Sequence, residues 1–398
     1  MSSANKRSTH PELADIFRLY GEEFERRSPM SGEQAKVIYH IKICRTAELG
    51  GHEEECDHCG LKRNVYNSCR DRHCPKCQTM VKEKWLNDRT AELLPCGYFH
   101  NVFTLAHELN PVILNNKEVC FSILFAAVNE TLQAFAKDPQ WRHIGIIGYI
   151  AVLHTWSQQL LDHFHLHCLI PAGVLSFDKK RWKPARVGKK YLFKQTSLAK
   201  EFKKRYLAKL QQAYDNGKLI FPGKTAEYAD KDCFAALLEE AGKKKWIAYS
   251  KAPFAGPQQV LEYLGRYTHR VAITNNRIKS MDDGIVTFTY KDRNNNNEIR
   301  ECRLAVDEFI RRFLLHVLPK GFMKIRYYGF LARTNKSWSI PLLRKFINPK
   351  AKVPERLCES IKEMMFRLTG IDITLCPKCG KGRMKVVAEL PGPRWNSS

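Results

Sequence analysis

The nine residues His163–Pro171, "HFHLHCLIP", place an imidazole at every second position and end in proline. Successive side chains of a β-strand point to opposite faces. His163, His165 and His167 therefore share one face, and Phe164, Leu166 and Cys168 share the other. The apolar face is suited to a core. Neutral imidazole is a common ligand of divalent metals, and a strand backbone holds two of them at nearly fixed separation. That makes His163, His165 and His167 candidate metal ligands. A lone histidine pair on an edge strand is more often exposed or simply hydrogen-bonded, so the rest of the chain has to decide.

Working outward, "IGIIGYIAVLHTWS" (144–157) is predicted as the antiparallel neighbour of this strand, with Gln159–Asp162 closing the hairpin. "YFHNVFTL" (98–105) predicts a further strand, and "WIAYS" (246–250) a short one. Helices are predicted over 117–137, 198–214, 233–245, 256–270 and 306–318, and strand turns at "MDDG" (281–284) and "NNNN" (294–297). Residues 11–42 read as helical, with Leu13, Ile16, Phe17, Tyr20 and Phe24 at three- and four-residue spacing. Antiparallel strands with helices segregated around them give an α+β class.

The charge balance narrows the partners. Lys and Arg number 66 against 41 Asp and Glu, a net +25 over 398 residues. Such a surplus suits a polyanion, since each neutralised phosphate releases condensed counterions. A 44% hydrophobic, 11% aromatic composition has ample core for two or three domains and excludes a disordered chain. No uninterrupted apolar run of 18 residues and no apolar leader at "MSSANKRSTHPELADIF" are visible, so no membrane partner and a soluble, cytoplasmic protein are expected.

Fourteen cysteines without an export signal argue for metal thiolates rather than disulfides. Cys56, Cys59, Cys74 and Cys77 form CxxC, fourteen residues, CxxC, a spacing that predicts a closed four-thiolate structural Zn²⁺ site. Cys44, His52, Cys69 and His73 lie in the same segment and leave room for a second zinc. "CPKCG" at Cys376–Gly380 is half a site that closes with Cys358, closes with a ligand elsewhere, or is a bare turn. Cys96, Cys120, Cys168, Cys233, Cys302 and Cys358 read as small core residues. The basic side chains of "LKRN" and "SCRDRH" are expected to ride on the zinc scaffold near DNA.

In "YLGRYTHR" (263–270), Tyr263 and Tyr267 are four apart on a predicted helix and so share a face, about 6 Å apart along the axis. Tyrosines at that spacing are usually core residues. Arg266, His269 and Arg270 place cations beside the phenols and make a purely apolar role less fitting.

Taken together, the chain resembles the two-tyrosine, HUH-type rolling-circle transposases of the insertion sequence 91 family. The resemblance runs nearly end to end through "CRTAELGGH", "CDHCG", "YNSCRDRHCPKCQ", "YFHNVFTLAHELNP", "LHTWSQQL", "HFHLHCLIP", "YLGRYTHRVAI", "FIRRFLLHVLPKGFMKIRYYGFLA" and "CPKCG". It implies an N-terminal zinc-binding DNA-recognition domain (1–85), an HUH endonuclease core (86–345) with a central antiparallel sheet flanked by helices, and a basic tail with CxxC (346–398). It implies that His165 and His167 hold Mg²⁺ or Mn²⁺, that Tyr263 and Tyr267 are nucleophiles, and that Arg266, His269 and Arg270 contact DNA. The partner would be single-stranded DNA at transposon ends and target. HUH sites add a third polar ligand; His163 on the same strand face, His154 on the preceding strand and Gln158 near the hairpin all remain open. Two other readings use the same residues: an HUH replication initiator of a plasmid or phage, and a non-catalytic zinc-dependent DNA-binding regulator.

Overall fold

A computed structural model of the chain describes residues 10–141, 144–185, 192–254, 259–260, 265, 271–292, 295–352 and 355–392. In chain order it forms α1 (Leu13–Arg27), α2 (Gly32–Ile43), β1 (Gly51–Cys56), β2 (Lys62–Tyr66), α3 (Pro75–Thr90), β3 (Tyr98–Thr104), α4 (Asn110–Asn115), α5 (Lys117–Lys137), β4 (Tyr149–Trp156) and β5 (Asp162–Pro171). There follow β6 (Gly173–Leu175), β7 (Trp182–Pro184), α6 (Gln195–Asp215), α7 (Lys231–Lys243), β8 (Ile247–Phe254), β9 (Ile278–Asp282), β10 (Ile285–Asp292), β11 (Glu298–Ala305), β12 (Ile325–Tyr328) and β13 (Met384–Leu390). Further helices occupy Val306–Leu315, Lys336–Ile347 and Ile361–Thr369. The mixture is the α+β architecture expected.

Two compact units share the chain, and they do not follow the three-part division of the sequence. The first joins Met1–Asn87, Val271–Leu314 and Glu355–Ser398; the second comprises Asp88–Arg270 and Leu315–Pro354. The segment expected as a basic tail (346–398) is thus largely part of the first unit. The physical reason is strand pairing: β13 adds to β1 antiparallel, Gly51 opposite Leu390 and Cys56 opposite Met384, giving the sheet order β13-β1-β2.

Within the first unit, the helical run expected over 11–42 is broken in two. Pro29 supplies no N–H donor, and Ser31 and Gln34 then form a capping box that starts α2. Leu13, Ile16, Phe17 and Phe24 are buried on one stripe of α1, and the Phe17 ring meets Phe313 edge-on at 5.5 Å. The hairpin β9–β10 turns through Asp283 and Gly284, both at positive φ (49° and 72°), and β11 completes a three-stranded sheet.

The second unit is built on a five-stranded, wholly antiparallel sheet of order β12-β4-β5-β3-β8. Alternation along β5 sends Phe164, Leu166, Cys168 and Ile170 into a core that also contains Phe121, Leu124, Phe125 and Val128 of α5 and Phe202, Tyr206 and Leu210 of α6. Helix α5 is long and apolar enough to cross a membrane by length and composition, but its apolar residues are those of this core. With one face of the sheet so occupied, the histidines take the other.

The edge strand β12 depends on a glycine. Gly329 has φ +59°, and a Cβ there would collide with the Ile147 carbonyl oxygen. Gly329→Ala is therefore expected to destabilise the second unit by about 3 kcal/mol, through left-handed strain and backbone displacement together. A lowered Tm in thermal melts checks this; an unchanged Tm would show that the backbone relaxes freely.

Candidate metal centres and active site

The histidine site begins with register. His154 of β4 lies opposite His165 of β5, and His167 lies one pleat further, opposite Val152. Directly opposite residues share a sheet face, so His154 joins the histidines of β5. Each of the three offers a ligand atom within 4.8 Å of the others, and all three side chains are buried. The His154 ring approaches His167 edge-on at 4.5 Å and stacks on Trp156 at 5.1 Å. Of the candidates for a third place beside His165 and His167, His154 is the one the fold brings in. Gln158 lies in the turn between β4 and β5.

His163 takes a different part. Its ring is half-buried, tilted against His165 at 4.7 Å and stacked on His107 at 5.6 Å, and it stands outside the trio. Its backbone carbonyl instead accepts from His165 Nδ1 at 2.8 Å. That bond fixes the His165 tautomer and leaves Nε2 with its lone pair.

A fourth histidine went unread in the sequence. His100 of β3 is buried, and its Nε2 lies 2.8 Å from His167 Nδ1. Burial, aided by the charge of Lys251, pushes His100 down to about 3, so it is neutral at pH 7. If its Nε2 accepts from His167 Nδ1–H, His167 Nε2 keeps a lone pair for a cation. A signal was available: His100 is an alternate residue on a strand predicted beside the histidine strand. Its relevance needed the register, which sets His100 opposite Leu169, one pleat beyond His167.

The hairpin that carries the trio is pinned by His316, also buried. Its Nε2 lies 3.0 Å from the Leu160 carbonyl, which it meets as donor, and its Nδ1 lies 3.4 Å from Thr155 Oγ1. Burial lowers His316 to about 4 and keeps it neutral. The turn runs through Ser157–Leu161, with Leu160 at φ +61°, slightly earlier than expected.

Tyr263, Tyr267, Arg266, His269 and Arg270 lie outside the described residues, as does most of the helix predicted over 256–270.

The cysteines form two clusters, and neither is the one expected. Cys56, Cys59, Cys74 and Cys77 are divided: Cys74 and Cys77 meet Cys44 and Cys69, while Cys56 and Cys59 meet Cys376 and Cys379. The cause is local. Cys56 and Cys59 sit at the far end of the β1–β2 hairpin, whereas Cys74 and Cys77 flank the start of α3, near Cys44, which caps α2. Sγ separations in the first cluster are 3.6 Å for Cys44–Cys77, 3.6 Å for Cys69–Cys77 and 3.7 Å for Cys44–Cys74. A tetrahedron of thiolates about Zn²⁺ at roughly 2.3 Å has edges of ~3.8 Å, so these side chains already form a zinc-sized cage. His52 and His73 stand outside both clusters.

Of the scattered cysteines, Cys120 and Cys168 are core residues as expected; Cys96 and Cys302 are half-buried, and Cys233 and Cys358 are exposed. Nor do Lys62 and Arg63 of "LKRN" extend freely from the scaffold. Lys62 pairs with Glu53, and Arg63 with Glu54, across β1 and β2.

Comparison with known proteins gives the class of this combination. Residues 16–105 match the family described as "Transposase zinc-binding domain", in its insertion sequence 91 form, and residues 148–338 match the family described as "Putative transposase". The chain has a zinc-binding domain, its first cysteine cluster falls wholly inside that match, and the class is DNA transposase. A curated relative from Sinorhizobium fredii, "Putative transposase y4qJ", is 43% identical over 98% of this chain and 99% of its own length. "Transposase for insertion sequence element IS801" of Pseudomonas savastanoi pv. phaseolicola is 26% identical over 90% of this chain and 84% of its own. No solved structure matches. The chain belongs to the insertion sequence 91 family of transposases.

Proposed function

We propose that this transposase nicks and rejoins single-stranded DNA at the ends of its element, through tyrosine attack on phosphorus and a 5′-phosphotyrosine intermediate, in a rolling-circle cycle in the cytoplasm. The observation that carries the reading is the His154–His165–His167 trio, three buried imidazoles on one sheet face within 4.8 Å.

The donor set fits a divalent ion. Three neutral imidazoles suit Mn²⁺ and tolerate Mg²⁺, and they leave further positions for water and phosphate. An ion held there supplies attraction for a nonbridging phosphate oxygen and offsets charge that develops in transfer. The chain's own residues do the rest. His163 C=O accepts from His165 Nδ1, and His100 Nε2 lies against His167 Nδ1, an arrangement that favours the tautomers able to bind a cation through Nε2. The phenol oxygen of Tyr263 or Tyr267 forms its bond to phosphorus as the bond to the 3′ oxygen breaks. The phenol loses its proton, and the departing 3′ oxygen gains one. A free phenol has pKa ~10, so cations such as Arg266, His269 and Arg270, beside the tyrosines in sequence, favour phenolate character and grip the DNA backbone. The bond energy is kept in the phosphotyrosine for rejoining, and no ATP is consumed.

The test is incubation of the full chain with single-stranded end sequences and Mn²⁺, followed by denaturing electrophoresis for a covalent protein–DNA adduct. Adduct dependent on both metal and single-stranded ends supports the reading; its absence under all metals sinks it.

His100→Ala is expected to weaken Mn²⁺ binding and nicking about 10–100-fold, as the loss of a group that orients a metal ligand does. Mn²⁺ titration of the variant by calorimetry and by nicking rate checks this. Equal affinity in variant and parent would assign His100 to packing alone.

A further inference from the structure

The zinc-binding family match ends at residue 105, yet the second cysteine cluster takes half its members from far beyond it. Cys56 and Cys379 are 323 residues apart and their sulfurs 3.8 Å; Cys59 and Cys376 are 317 apart and their sulfurs 3.6 Å. A disulfide would bring sulfurs to about 2.05 Å, whereas edges of ~3.8 Å are those of a thiolate tetrahedron around Zn²⁺.

The two halves are the same turn built twice. "CDHCG" and "CPKCG" each end in a glycine at positive φ, 65° for Gly60 and 63° for Gly380. Gly60 N–H donates to Cys56 O at 3.0 Å, and Gly380 N–H to Cys376 O at 3.0 Å. Backbone amides turn towards the sulfurs in both: Cys59 N–H donates to Cys56 Sγ at 3.5 Å, and Gly382 N–H to Cys379 Sγ at 3.4 Å. In each half a backbone amide thus meets a cysteine sulfur, and such donors stabilise a thiolate. The halves are packed against each other as closely as the chain permits, since a Cβ on Gly382 would lie 2.5 Å from Cys56 Sγ. Met384 and Leu61 close an apolar shell around the sulfurs.

We propose that Cys56, Cys59, Cys376 and Cys379 bind a second structural zinc ion, which fastens the C-terminal segment to the N-terminal zinc unit. The chain then carries two Zn²⁺, one at Cys44, Cys69, Cys74 and Cys77 and one at this composite site. The composite ion lies where β1 ends and just before β13 begins, so it fixes the register in which β13 completes the β13-β1-β2 sheet. Residues between the two half-sites, including the whole histidine sheet, form a loop closed at its base by metal. Its order with respect to folding follows: the site cannot close until the chain is synthesised beyond Cys379.

The experiment uses the full chain purified without chelator. Zinc by plasma mass spectrometry should be two per chain, and zinc-edge X-ray absorption should give four sulfurs per ion. The Cys376→Ser/Cys379→Ser double variant should hold one zinc and lose amide exchange protection across 384–390. Cys74→Ser should forfeit the other ion. If the double variant fails to fold, the parent's stoichiometry and sulfur count still decide. One zinc per chain in the parent, two retained in the double variant, or peptide mapping of Cys56 and Cys59 in disulfides to the C-terminal pair would each overturn the proposal.

Discussion

On the proposed reading, His165→Ala and His167→Ala are each expected to lower the nicking rate by more than ~100-fold at saturating DNA, because loss of a metal-binding imidazole would exceed the 10–100-fold typical of losing its orienting partner. His154→Ala is expected to do the same, which would separate the trio from the strand motif alone. Single-strand affinity is expected to stay nearly unchanged, since on this reading backbone charge and base stacking would supply it. The comparison to make is single-turnover rate against dissociation constant in Mn²⁺, with circular dichroism to confirm a folded sheet. His163→Ala is the internal control. The carbonyl that holds His165 Nδ1 survives the substitution, so that variant is expected to retain most activity. A His154 variant that nicks at the parental rate would return the third place to another residue.

What the sequence disclosed and what it withheld divide along one line, that between local and non-local information. Alternation in "HFHLHCLIP" is local, and it placed His165 and His167 on one face without ambiguity. Period-3.6 patterning likewise gave α5 over 117–137, the span observed. His154 and His100 needed cross-strand register, which local patterning leaves free. The cysteines carry the sharper lesson. CxxC pairs eighteen residues apart in sequence invite closure with each other, because the entropy of a short loop is small. A β-hairpin and a helix start intervene and send the two pairs to opposite partners, one of them more than 300 residues away. The entropic cost of that long closure grows only logarithmically, and strand pairing of β13 with β1 offsets it. The half-site at Cys376 was legible as chemistry, and its partner was legible only as structure.

The two tyrosines raise the remaining question of economy, since one nucleophile suffices for one nick. On the proposed reading, tyrosines four apart on the helical period expected over 256–270 would bring both phenols to one phosphate position in turn. One would then hold the first cleaved strand as its 5′-phosphotyrosine while the other attacked a second strand, and exchange would proceed without release of a free end. Tyr263→Phe and Tyr267→Phe are each expected to reduce transposition by ~100-fold or more, as loss of a covalent nucleophile does, yet each still forms adduct on the tyrosine that remains. The double variant is expected to form none while binding single-stranded ends as the parent does. Nuclease digestion and mass spectrometry of the adducted peptide read this out directly. Adduct on Tyr267 in the Tyr263 variant and on Tyr263 in the Tyr267 variant supports alternation; adduct confined to one tyrosine in every background reduces the site to a single nucleophile, and adduct on neither refutes the assignment.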